Sequence, residues 1–126
     1  MFRCGDLTIL LLGLAFHCFC LENRISVSYT HLEGCILKII SVETTYGYEI
    51  VMKLQDFGFE DMKEGTIYPL LVRLEKKKMI SSEFRPSPLG PSRKYYFLTE
   101  AGGEQLREFE ICWRSVSDTV ESILMM

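Results

Sequence analysis

With 126 residues, the chain has room for one domain and at most an appendage. Hydrophobic residues make up 48%, enough for a real core, but so short a chain buries a modest share of its surface, and a second copy is a common remedy. The net charge of −3 argues against a uniformly basic nucleic-acid binder. The charge is unevenly spread: residues 63–78 hold five cations against two acids, residues 85–94 three cations and no acid, and residues 99–126 six acids against two arginines. A basic stripe on an acidic body steers association where the mean charge would not.

Residues 1–31 do not fit the pattern that follows. Leu7 to Leu21 is an apolar run of 15 residues behind Arg3, short of the ~20 a spanning helix needs. Glu22-Asn-Arg24 after it carries no small-residue cleavage signature. Three readings stand: a weak membrane anchor, a helix that packs on the domain, or sequence not native to it. The last is preferred, because Val27-Ser-Tyr-Thr-His31 resembles a translated adapter fragment and the domain pattern begins abruptly at Leu32 or Glu33. No stable membrane partner is therefore expected, and the protein is placed in the cytoplasm. His17-Cys-Phe-Cys20 has the look of a metal clip, but no second ligand pair follows at zinc-site spacing. The five cysteines have no framework spacing and read as apolar thiols in a reducing compartment. Neither a metal nor a cofactor is expected.

From Leu32 to Val42 the apolar positions Leu32, Cys35, Ile36, Ile39 and Ile40 have a helical period, and a short buried helix is predicted. Thr44 and Thr45 offer cap chemistry for a second helix from about Tyr46 to Phe57, stopping at Gly58. A third helix buries Ile67, Leu70, Leu71 and Leu74, and its opposite face holds Gly65, Pro69, Val72 and Lys76, flanked by Tyr68 and Arg73. Pro69 leaves two starts open: Thr66 as the cap, or Glu64 with one hydrogen bond lost. Either start puts the N–H groups of Gly65 to Ile67 where a phosphate could be held. Ser81 to Arg85 and Arg93 to Leu98 are strand candidates, and Pro86, Pro88, Gly90 and Pro91 are expected to exclude regular pairing between them, leaving a long stiff tip. The last helix reaches the C-terminus. Its Leu106, Phe109, Trp113, Val116, Val120 and Ile123 step by three and four, a heptad seam that calls for a partner helix, most simply its own copy.

Four motifs in this order, Tyr46-Gly-Tyr-Glu-Ile50, Glu64-Gly-Thr-Ile-Tyr-Pro-Leu-Leu71 with Arg73-Leu-Glu-Lys76, Gly90-Pro-Ser-Arg-Lys-Tyr-Tyr96 and Leu98-Thr-Glu-Ala-Gly102, closely resemble the PadR family of transcriptional regulators over residues 32–126. The resemblance implies a mainly α fold with a small β-hairpin (α+β). Residues 32–98 would form a winged helix-turn-helix DNA-binding domain, and residues 99–126 a C-terminal dimerisation helix. It implies a homodimer, usually a repressor, on a dyad-symmetric double-stranded operator. The third helix would enter the major groove and the wing would touch backbone or minor groove. Some members respond to phenolic acids; others bind planar drugs at the dimer interface, stacked on a tryptophan that matches Trp113.

The expected DNA contacts are Lys63, Thr66, Tyr68, Arg73 and Lys76, mostly to phosphates, with Tyr68 and Val72 near base edges, and Arg93 and Lys94 on the wing. Tyr46 and Tyr48 read equally as phosphate donors or as packing residues, and Gly47 is expected to permit a close helix approach. Leu106, Phe109, Trp113, Val116, Val120 and Ile123 are the expected dimer interface. Trp113 reads first as an interface anchor and second as a shelf for a small aromatic effector, with Phe109 and Val116 a turn away. An enzyme is not expected: the only histidines, His17 and His31, lie in the doubtful head, and no nucleophile set or phosphate-cradling loop is visible. Two rivals are a winged-helix protein-interaction module without DNA binding and a membrane-tethered regulator using Leu7 to Leu21. The positive charge kept on helix three and the wing disfavours the first.

Overall fold

The computed structural model describes the backbone of residues 27–126 and side chains from His31 onward. The compact unit that carries the fold is Leu32–Met126. The run Leu7 to Leu21 and the His17-Cys18-Cys20 cluster lie outside the described residues. In chain order the elements are α1 (Val27–Val42), β1 (Thr45–Tyr46), α2 (Gly47–Asp56), α3 (Glu64–Lys76), β2 (Ile80–Ser87), β3 (Gly90–Leu98) and α4 (Glu100–Leu124). The sheet is antiparallel with strand order β1-β3-β2. This is the expected α+β winged helix-turn-helix with its long C-terminal helix. Helix α1 starts more than a turn ahead of the expected Leu32. No helix among the described residues is long and apolar enough to cross a membrane, and no group of His, Cys, Asp and Glu there could hold a metal.

The core forms where the helical stripes meet. Ile36, Leu37 and Ile40 of α1, Ile50, Val51 and Leu54 of α2, and Ile67, Leu71 and Leu74 of α3 are all buried, closed over by Ile80, Tyr96 and Leu106. Helices α2 and α3 end in the same way. After α2, Gly58 has φ +124°, its N–H donates to the Gln55 carbonyl, and the Phe59 N–H donates to Leu54. After α3, Lys78 has φ +59°, its N–H donates to Glu75, and the Met79 N–H donates to Leu74. Both are Schellman closures, which require a residue in the left-handed region. At Gly58 this is free of steric cost; at Lys78 it costs on the order of 1 kcal/mol.

Two sequence expectations are corrected here, and the open choice of start for the third helix is decided. The second helix does not begin at Tyr46, because Thr45 and Tyr46 form a strand paired with Tyr96 and Tyr95. Thr45 is fully buried and donates its hydroxyl to Glu49 Oε2 at 2.6 Å instead of capping the helix. Of the two starts left open for the third helix, the one at Glu64 is found, with Pro69 inside the helix. The wing pairs almost to its tip: the register runs from Ile80↔Leu98 to Arg85↔Arg93, is interrupted by an irregularity, and resumes at Ser87↔Gly90. Prolines are tolerated because β2 is an edge strand, and beyond Tyr95 β3 has no partner but β2. The tip is thus Pro88-Leu89 alone, with Leu89 97% exposed.

Candidate nucleic-acid interface

Helix α3 turns one face inward and the other to solvent. Tyr68 is 42% and Val72 48% exposed, and Gly65, Pro69 and Lys76 share that outward face. Gly47 at the start of α2 allows this arrangement. A Cβ there would stand 2.8 Å from the Tyr68 ring, so only glycine lets the ring lie over the end of α2. The close approach expected of Gly47 is therefore to Tyr68. Lys63 is exposed at the helix start and Thr66 is half-buried. The N–H groups of Thr66 and Ile67 both donate to the Lys63 carbonyl, at 3.0 and 3.2 Å, and Glu64 sits in the first turn. Those two donors are spent, and an acid faces any anion at that end, which weakens the phosphate site expected at Gly65 to Ile67.

Two expected contacts are committed inside the domain. The Arg73 Nε donates to Glu33 Oε1 of α1 at 2.7 Å, and a second guanidinium nitrogen donates to the same oxygen. Lys94 Nζ donates to Glu75 Oε2 of α3 at 2.8 Å, while Ser82 donates to the other oxygen of Glu75 at 2.6 Å. The Lys94 bond and then the Ser82 bond hold the Glu75 carboxyl below its ordinary pKa, and the Glu75 bond holds the Lys94 amine above its own. Lys94 also stands 5.6 Å from the centre of the Tyr96 ring. Strand alternation produces this division: Ser82, Lys94 and Tyr96 turn toward α3, and their neighbours turn away.

The outer sheet face carries Arg85 and Arg93, paired directly across the hairpin. The Arg93 guanidinium lies 4.6 Å from the centre of the Tyr46 ring. That of Arg85 lies 4.9 Å from Tyr95 and 5.2 Å from Phe97, and its Nε donates to Glu83. Tyr46 and Tyr95 meet edge to face with centroids 5.5 Å apart. Flat aromatic faces hold guanidinium groups in place without neutralising them. The charged residues given no site role from the sequence pattern are Glu33, Glu75 and Arg85. A basic run draws the eye to its cations, and nothing in spacing alone says which acid will meet them.

Helix α4 is anchored at its start. The Thr99 side chain accepts from the Gly102 N–H at 3.0 Å, and its hydroxyl lies 2.7 and 2.8 Å from the carbonyls of Lys78 and Met79. A Cβ on Gly102 would stand 2.0 Å from the Met79 carbonyl oxygen, so the glycine lets α4 leave the hairpin at that angle. The expected seam then divides. Leu106 is buried in its own domain, and the Phe109 ring covers Gly34 of α1, where a Cβ would stand 2.3 Å away. Trp113, Val116, Val120 and Ile123 remain between 47% and 60% exposed. Leu106 and Phe109 are therefore packed within their own chain, and the exposed part of the expected seam runs from Trp113 onward.

The model of the Transcriptional regulator PadR-like family matches residues 36–108. An uncharacterized protein of Lysinibacillus sphaericus is 34% identical over 94 residues, covering 72% of this chain and 85% of its own. Among solved structures, a PadR-like transcriptional regulator of Bacillus cereus is 53% identical, with 75% of this chain and 92% of that one covered and a TM-score of 0.70. A Streptococcus transcriptional regulator is 44% identical, with 77% and 95% covered and a TM-score of 0.71. Bacillus subtilis PadR in complex with operator DNA is 26% identical, with 64% of this chain and 46% of that one covered and a TM-score of 0.59.

Proposed function

Because this chain belongs to the PadR-like family, whose members are transcriptional regulators and not enzymes, we propose that it is a cytoplasmic dimeric repressor that binds a dyad-symmetric DNA operator. The observation that carries this reading is the state of α3. Its outward face, with Tyr68, Val72 and Lys76, is open, while the Arg73–Glu33 and Lys94–Glu75 pairs brace the helix against α1 and the wing. A reading helix needs both, since base edges discriminate only when the side chains reach them at a set angle. The operator complex of the Bacillus subtilis relative supports the same reading.

In this proposal Lys63, Thr66, Lys76 and Arg93 meet phosphates, and Tyr68 and Val72 lie nearest base edges. Two copies pair through Trp113, Val116, Val120 and Ile123, so that their α3 helices face half-sites about 34 Å apart, one turn of DNA. A small aromatic effector would lodge at Trp113 and Val116 beside Phe109, and would release the operator by binding better to a seam angle that misaligns the two helices. The test is a mobility-shift titration on DNA upstream of the protein's own gene, at several salt concentrations. Lys76→Ala and Arg93→Ala should each flatten the salt dependence by about one unit, one phosphate contact apiece. A full set of binding curves with the wild-type slope would overturn the assignment of these two contacts, and no shift of any duplex would overturn the function.

A further inference from the structure

We propose that Arg73 serves DNA recognition as a positioning residue: its pairing with Glu33 sets the angle of α3 and ties that angle to the position of α4. The proposal rests on the DNA-binding reading above. Glu33 is 5% exposed, and two nitrogens of the Arg73 guanidinium converge on its Oε1. The residues stand 40 apart in the chain, so this bond joins α1 to α3 across the fold. A buried carboxylate deprived of its cation is left uncompensated, so the two helices cannot slide at this point without heavy cost. A guanidinium also fixes direction as well as distance, because its donors lie in one rigid plane.

What lies next to Glu33 gives the pair its second role. Gly34 is the residue against which the Phe109 ring of α4 is packed, too closely for a Cβ. One turn further along α1, Lys38 meets Glu110 of α4 at 3.4 Å. The helix that carries the exposed seam therefore rests on α1 at the residue beside the one that holds α3. A shift of α4 therefore reaches the reading helix through α1, by the Phe109 ring contact and the Lys38–Glu110 pair, as well as through its own anchor at Lys78 and Met79. Arg73 itself is 38% exposed in its side chain, so a direct phosphate contact is the competing role, and the two roles predict opposite outcomes.

The experiment uses the full chain and the DNA upstream of its own gene. Glu33→Gln keeps the shape of the side chain and removes its charge. If Arg73 positions α3, Glu33→Gln weakens binding by about 2- to 30-fold with the salt dependence unchanged, and circular dichroism shows the helix content retained. If Arg73 instead contacts phosphate, removing its internal competitor tightens binding. Arg73→Lys keeps the charge and tests the same point should Glu33→Gln fold poorly: positioning predicts weaker binding at unchanged salt slope, and a phosphate contact predicts near wild-type affinity. Tighter binding in Glu33→Gln, or wild-type affinity in Arg73→Lys, would overturn the proposal. Wild-type protein that shifts no DNA would instead remove the reading on which it rests.

Discussion

The two halves of α4 carry the same heptad spacing and have different surroundings. In the first half Leu106 is buried in its own domain and Phe109 lies against Gly34. In the second half Trp113, Val116, Val120 and Ile123 keep about half of their surface in water. One periodic pattern thus serves two purposes, an anchor within the chain and an open face beyond it. The cations divide in the same manner. Arg73 and Lys94 are committed to carboxylates of the fold, whereas Lys76 and Arg93 have no carboxylate partner among the described residues. A side chain's place in a motif identifies the surface it belongs to, and only its neighbours decide whether it braces that surface or is offered to a partner.

The largest effect is expected where the chain is most committed. Leu106→Ala should lower the stability of the folded chain by about 2–5 kcal/mol, the usual cost of emptying a buried leucine site. Chemical denaturation followed by circular dichroism measures it; a loss below about 1 kcal/mol would mean that the first half of α4 is no more anchored than the second.

A smaller effect attaches to the brace between wing and helix. Glu75 has its pKa lowered and Lys94 has its pKa raised, mainly by their bond to each other. The carboxyl contributes stability above its ordinary value, lost as pH falls through the lowered one. The amine contributes below its ordinary value, lost as pH rises through the raised one. Stability from this brace is therefore present at neutral pH and fades at both extremes. The side chains are about one third exposed, so the pair is worth at most about 1 kcal/mol. Thermal melts of Glu75→Gln against wild type should differ at pH 7 and converge in strong acid; a constant difference across that range would exclude the brace as its source.

The smallest effect on the folded chain is expected from Val120→Asp, within about 0.5 kcal/mol, as for other exposed sites. Its consequence should appear in assembly. On a sizing column the wild type should run as a dimer and the variant as a monomer of unchanged helicity. A variant that remains dimeric would place the partner face somewhere other than the second half of α4.

Much of the fold could be read from periodicity. The stripe Ile67, Leu70, Leu71 and Leu74 is buried as its spacing predicts, and Gly58 ends α2 in the left-handed region. Helices are local, so their buried faces follow from a repeat of 3.6 residues. The two-residue strand at Thr45–Tyr46 was not legible, because so short a strand exists only through Tyr95 and Tyr96, about fifty residues away. The wing shows the same limit, since its prolines are acceptable only where a strand lacks a second neighbour, along β2 and toward the tip of β3.

By itself, then, the sequence determined the order of helices, the face each one buries, the basic character of the reading surface and the family. Tertiary structure alone decided that Arg73 answers Glu33, that Lys94 answers Glu75, and that Leu106 belongs to the core with Phe109 packed against it while Trp113 stays half exposed. The reason is physical: hydrophobic burial acts on whole faces and leaves a periodic trace, whereas an ion pair joins two single atoms whose meeting depends on how every helix between them is packed.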